Sequence, residues 1–216
     1  MALVPLCLHC RASSAPLDDA STCAVHGSTT PCWRTTEASY DDFGEHLRSA
    51  GAMATYLPWP MSPGWRISDF AVVTDGPGSA LAVAAACSGV SELDGPVDLV
   101  VVTEEPGTGL GACYAGLPVS YPGAEVGVGV PVTKMRVEGQ PVPLWLVSLV
   151  ESAPDVPTDP VDRTVLVGEA FGRWLWLVLR PASALLLLHD EWQLHDLSRL
   201  GPALVEVTFG GPAPTW

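Results

Sequence analysis

The sequence predicts an α+β fold, a predominantly antiparallel β body carrying a few helices and preceded by a small N-terminal module. Three observations predict it. Two close cysteine and histidine pairs stand within the first 26 residues, one amphipathic helical stretch follows them, and from Tyr56 onward short apolar runs alternate with Gly, Pro and acidic residues. Runs spaced near ten residues apart suit antiparallel meanders, because parallel strands need a crossover of a dozen residues or so. The expected division is a module over residues 1–36, a connecting helix and linker over 37–55, and a β-rich domain over 56–216. At 216 residues and 48% hydrophobic, the chain is long enough for one substantial core plus a small appended unit.

The N-terminal pairs carry the most specific chemistry. Cys7 and Cys10 are separated by two residues, as are Cys23 and His26, with twelve residues between the pairs. Each short spacing lets a tight turn aim two side chains at one point, and the intervening stretch closes a loop that joins the pairs. Three thiolates and a neutral imidazole suit Zn2+, whereas hard cations prefer oxygen. The module is therefore zinc-ribbon-like. Cys32 is an alternative fourth ligand to His26, although the repeated two-residue spacing favours His26. His9, between two ligands on one turn, is expected to face solvent or to support a ligand. Four protein ligands leave no position for water, so the expected role of the metal is structural. Disulfides or free thiols are the competing fate of these cysteines.

In the stretch after the module, Thr35 or Thr36 can cap a helix, Glu37 favours its positive end, and Tyr40, Phe43 and Leu47 fall on one face before Gly51. Asp41, Asp42 and Glu45 form its solvated face. Beyond it, strands are expected at 70–75, 79–88, 97–105, 124–130, 132–139, 143–150, 163–171, 173–180, 184–190 and 203–209. Trp174 and Trp176 share one strand face by the period of two and belong in the core. Two further helices are expected, near 107–117 and near 190–201, the latter capped by Asp190 and stopped by Gly201.

Two segments of the body offer ligand or partner surface. In YLPWPMSPGW, proline stiffens the backbone while Trp59 and Trp65 present large rings, an extended ridge that loses little entropy on binding; covering the sheet is the competing use of these rings. In VVVTEEPGTGLGACYAG, Glu104 and Glu105 end a strand before Gly107, Gly109 and Gly111, whose amides could line a small anion pocket. The spacing is not a dinucleotide fingerprint, and two carboxylates would repel a pyrophosphate. Cys113 in the same loop is a possible nucleophile, with His189 or His195 as base and Asp190 or Asp196 as its orienting group.

Charge narrows the partners. Twenty-four acidic residues against ten basic ones, a single lysine (Lys134) among them, give a net charge of −14. Nucleic acid and anionic membrane surfaces fit such a field poorly. The longest apolar run, WLWLVLRPASALLLL, is cut by Arg180 and Pro181 before the ~20 residues a bilayer requires. MALVPLCL has no basic flank and no small-residue cleavage site after it, which predicts a cytoplasmic protein.

The two N-terminal pairs with Gly27, together with LPWPMSPGW, EEPGTGLGACYAG, PVPLW and GEAFGRWLWLVLRP, resemble an uncharacterised family of high-GC Gram-positive bacteria with an N-terminal zinc-ribbon-like motif. The resemblance implies the metal ligands Cys7, Cys10, Cys23 and His26, and it implies no catalytic residue. Two functional classes follow. One is a non-enzymatic interaction or regulatory protein with a structural zinc site, whose partner is a protein or small ligand met through Trp59, Trp65, Glu104, Glu105 and Gly109. The other is a small acyl- or phosphoryl-transferring enzyme using the Glu104–Cys113 loop. The sequence offers no nucleophile, base and orienting group in one convincing set, which favours the first.

Overall fold

The computed structural model describes residues 3–10, 12–17, 20–76, 79–117, 120–124, 126–148, 162–189 and 192–214. The N-terminal segment forms five short strands: β1 (Val4–Cys7), β2 (Ala15–Leu17), β3 (Ala20–Cys23), β4 (Gly27–Thr29) and β5 (Pro31–Arg34). Helix α1 (Tyr40–Ala50) follows, and then β6 (Tyr56–Pro58), β7 (Arg66–Thr74), β8 (Ala80–Ser91), β9 (Gly95–Glu104) and the short helix α2 (Leu110–Ala115). The remaining strands are β10 (Thr133–Val137), β11 (Gln140–Leu146), β12 (Thr164–Ala170), β13 (Arg173–Arg180) and β14 (Gln193–Asp196).

One eleven-stranded sheet runs in the order β1-β5-β7-β8-β9-β13-β12-β11-β10-β14-β6, and β2-β3-β4 form a separate small sheet. Neighbours are antiparallel except β10 and β14, as the ten-residue spacing of the apolar runs predicts. The large sheet does not stop at the body: β5 pairs with β7 through Cys32↔Val73 to Arg34↔Ala71, and β1 pairs with β5.

The central strands read as unbroken apolar runs because both faces of the sheet are covered. Phe70, Val72, Val83, Ala85, Leu99, Val101, Leu175 and Leu177 point to one face, against α1, β6 and β14. Ala71, Val73, Ala82, Ala84, Val100, Val102, Val165 and Trp176 point to the other, against α2. The alanines of β8 keep that second face shallow, and glycine lets α2 approach it. A Cβ at Gly111 would lie 2.4 Å from the Trp176 indole, so the helix backbone rests directly on that ring. Trp176 is wholly buried and Trp174 packs beside it on the same face, as their spacing predicts.

Helix α1 starts at Ser39, whose hydroxyl accepts the Asp42 N–H at 3.2 Å, and ends at Gly51 with φ +58°. Thr35, one of the expected caps, instead donates to the Glu37 carbonyl. The apolar face is set by Phe43, fully buried between Phe70 at 5.2 Å and a parallel His46 ring at 5.6 Å. Burial of such a ring contributes about 2–3 kcal/mol. His46 Nε2 lies 3.1 Å from the Thr55 hydroxyl, and burial holds the imidazole neutral with its pKa lowered to about 3.

Four expected elements differ. Residues 184–190 were expected as strand, but Ala182–His189 is a 3₁₀ run after Pro181, burying Ala184 and Leu188 four residues apart while Leu186 stays exposed. Residues 203–209 likewise begin with a 3₁₀ run, Gly201–Glu206, with Pro202 in its first turn. The described part of 124–130 is turn, where Gly127 and Gly129 take positive φ. The helix expected at 190–201 is instead β14 followed by a 3₁₀ turn at Leu197–Arg199: Leu194 and Asp196 alternate inward with a period of two, which a four-residue stretch cannot distinguish from a helical stripe. Its expected cap, Asp190, lies outside the described residues.

Candidate metal centre and the adjoining cleft

Cys7 is the last residue of β1 and Cys23 the last of β3, so each strand end delivers a buried sulfur to the start of a turn. The turns then carry Cys10 and His26 back to the same point, and Gly27 at φ +70° lets the chain leave the second turn directly into β4. Cys10 Sγ lies 3.5 Å from Cys23 Sγ, while His26 Nδ1 lies 3.6 Å from Cys7 Sγ and 3.7 Å from Cys23 Sγ. All four donor atoms fall within 4.8 Å of one another.

These separations fit a common ion. Metal–sulfur arms of about 2.3 Å at tetrahedral angles place neighbouring donors about 3.8 Å apart. The electrostatics fit as well: N–H groups of His26 and Val25, with the His26 ring, draw the Cys23 thiol down to about 6, toward the thiolate that binds metal. The Cys3His group can therefore hold a metal ion. Cys32 is not part of it. It sits on β5 opposite Leu6, in the apolar layer under α2, where burial pushes its thiol up to about 12. His9 is exposed, its ring centroid 5.3 Å from that of His26.

The chain belongs to a family of unknown function, DUF6758. The match covers residues 1–216. No curated protein and no solved structure matches the chain.

Glu104, at the end of β9, is fully buried beneath α2, and its Oε2 accepts the Gly111 N–H at 3.1 Å. Desolvation raises its pKa to about 7, against the lowering effect of that amide. The glycine-rich turn thus directs an amide at the chain's own carboxyl, where an anion would have needed it. Glu105 is half-exposed and accepts from Arg173 Nε at 2.8 Å, and its carbonyl takes the Thr108 hydroxyl. Cys113 lies on α2, over one face of the sheet. His195, by contrast, is on β14, five strands beyond β9 in the sheet order, 3.7 Å from Glu138 Oε1. Asp196 accepts the Thr55 and Ser198 amides. The structure therefore does not gather Cys113, His195 and Asp196 into one site.

The aromatic segment is turned mostly inward. Trp65 is buried with its indole on the backbone of Gly89, where a Cβ would come within 2.4 Å, and it meets Trp192 edge-on at 5.0 Å. Trp59 is partly buried against the same core. Gly109, however, lines an open cleft of about 1070 Å³ between the segment that carries the Cys3His cluster and α2. One wall carries Ser28, Thr29 and Thr30 beside His26, and the other carries Thr108, Cys113 and Ser120.

Sequence reasoning singled out the Gly109 loop as ligand surface but missed its meeting with Ser28, Thr29 and Thr30, which lie about eighty residues away in the chain. It also missed the buried link that fixes the two walls. Arg34 of β5 grips Asp69 of β7 through Nε at 2.9 Å to each carboxylate oxygen and Nη2 at 2.7 Å, and the Tyr114 hydroxyl of α2 donates to the same carboxylate at 3.2 Å. Asp69 is 1% exposed, so removing it would strand a guanidinium and a phenol together.

Proposed function

We propose that the chain is a non-enzymatic interaction protein whose N-terminal module is folded by a structural zinc ion on Cys7, Cys10, Cys23 and His26. The convergence of those four donor atoms carries the proposal. Three thiolates and an imidazole select a borderline-soft, tetrahedral cation. With all four positions supplied by the protein, such an ion organises chain and activates no water.

The metal module works as a platform: residues 1–36 hold the ion, 37–55 connect, and the β-rich part over 56–216 forms the second wall of the cleft. That cleft replaces the tryptophan segment as the partner surface. The net charge of −14 disfavours nucleic acid and anionic lipid as partners. Among the described residues no helix is long and apolar enough to cross a membrane. Thiolate ligands last in a reducing compartment, which is why we assign the cytoplasm. A transferase using the Glu104–Cys113 loop is the weaker reading, because Glu104 is occupied as a buried cap and His195, the base expected for Cys113, lies on β14, five strands beyond β9.

Native mass spectrometry of chain purified without chelator or metal-affinity tag tests the proposal. One zinc ion per chain, retained with and without reductant, is the expected result. A metal-free chain whose mass shows cysteines joined in disulfides would contradict it.

A further inference from the structure

We infer that Cys10 is a modification site for hydroperoxides: its oxidation joins Cys10 to Cys23, releases the metal ion and takes apart the wall of the cleft that the N-terminal module supplies. The inference rests on the zinc reading, because Cys10 and Cys23 are two of the four proposed ligands.

The first observation is a difference in access. Of the six cysteines, Cys7, Cys23, Cys32 and Cys87 are buried and Cys113 is partly buried, while Cys10 is exposed. Oxidants attack thiolates that face solvent, and a coordinating sulfur is a thiolate near neutral pH. The second observation is a partner held within reach. Cys10 Sγ lies 3.5 Å from Cys23 Sγ, and the Val25 N–H points at the Cys23 sulfur at 3.4 Å, which fixes that sulfur in its turn. From there the two sulfurs have only to close to the ~2.05 Å of a disulfide.

With hydrogen peroxide the chemistry balances in two steps. The Cys10 thiolate attacks one peroxide oxygen, the O–O bond breaks, and the departing hydroxide takes a solvent proton to leave as water, so that Cys10 becomes a sulfenic acid. The Cys23 thiolate then attacks the Cys10 sulfur, the S–O bond breaks, and the hydroxide leaves as a second water in the same way. Each sulfur has given up one electron and the peroxide has taken both. A disulfide is not a thiolate ligand, so half of the donor set is lost together. The strands β2, β3 and β4, with three or four residues each, then lose what holds them. His9, His26, Ser28, Thr29 and Thr30 form the N-terminal wall of the cleft, so that wall goes with them. The other wall stays, as does β5, through Arg34 and Asp69.

The test uses the full-length chain, verified to carry one zinc ion, and hydrogen peroxide as the probe. Released zinc is followed with a chromogenic chelator, and the cysteines are mapped by peptide mass spectrometry. The expected result is one Cys10–Cys23 disulfide for each ion released, with hydrogen-exchange protection lost at 20–30 and kept in β7, β8 and β9. A thiol reductant with added zinc should restore both. Cys10→His replaces the exposed sulfur by an imidazole that still binds zinc but has no oxidisable thiolate, so its zinc release should be slower by at least about tenfold. Should that variant not hold the ion, the mapping of the wild-type chain decides alone. Zinc retained through oxidation, release with Cys7 joined to Cys10, or oxidation confined to Cys113 would each overturn the inference and leave the zinc reading intact. A chain that holds no zinc before peroxide is added would instead sink the zinc reading, and the inference with it.

Discussion

Cys23→Ser releases the metal and unfolds the segment around it while the large sheet persists. Cys23 sits at the centre of the group, 2% exposed, close to both Cys10 Sγ and His26 Nδ1. A serine hydroxyl is shorter, harder and un-ionised near neutral pH, so it neither reaches nor satisfies a zinc ion. Structural zinc supplies about 10–16 kcal/mol to peptides of this kind, and loss of one thiolate removes a large part of that. The strands β2, β3 and β4 have three or four residues each and no core of their own, so little else holds them. β5 behaves differently, because Arg34 is tied to Asp69 in the body and β5 pairs with β7. Hydrogen exchange should therefore show protection lost at 20–30 and kept in β7, β8, β9 and β13, with metal analysis reading well below one ion per chain. Retained metal and unchanged exchange at 20–30 would mean that Cys23 is not a ligand.

Glu104→Gln changes how stability responds to pH. In the folded chain, burial raises the Glu104 pKa from the ordinary 4.5 to about 7. Below pH 4.5 the carboxyl is protonated in both states and costs nothing. Between 4.5 and 7 the unfolded chain ionises while the folded one holds its proton, so stability falls as pH rises. Above 7 the full cost is present, about 3 kcal/mol for a shift of this size. His46 has the opposite sign: its folded pKa is lowered to about 3, so its contribution grows as pH rises toward 6.5. The difference between wild type and variant cancels His46 and isolates Glu104. Urea unfolding of both at pH 4.5 and pH 8 should show the glutamine variant gaining about 3 kcal/mol relative to wild type over that interval. An unchanged difference would mean that Glu104 is not buried as a charge-sensitive cap.

The parts of the fold legible in the sequence were those written in local periodicity. Phe70 to Thr74, Ala80 to Ser88 and Arg173 to Arg180 announce themselves as apolar runs between turn residues, and Tyr40, Phe43 and Leu47 mark α1 with its stop at Gly51. The runs at 184–190 and 203–209 are equally apolar, yet Pro181 and Pro202 start 3₁₀ turns there, and tertiary packing decides between conformers that composition does not separate. The Cys3His cluster was legible because a turn needs fixed spacing to converge two donors. Cys32 was ambiguous in the sequence for want of a pairing partner: only β5, lying opposite β1, shows its sulfur directed into the apolar layer under α2. The cleft and the Arg34–Asp69–Tyr114 link depend on residues 35 to 90 positions apart, and no local pattern records such meetings.

A zinc ion on the Cys3His cluster would be held by three sulfurs and one imidazole nitrogen. X-ray absorption at the zinc edge, on chain purified without chelator, reads that shell directly. The expected shell is three sulfurs at about 2.3 Å and one nitrogen at about 2.0–2.1 Å, with no exchangeable oxygen. A shell with a water oxygen in place of one protein ligand would contradict it, because it would reopen the metal to chemistry that a closed structural site does not perform.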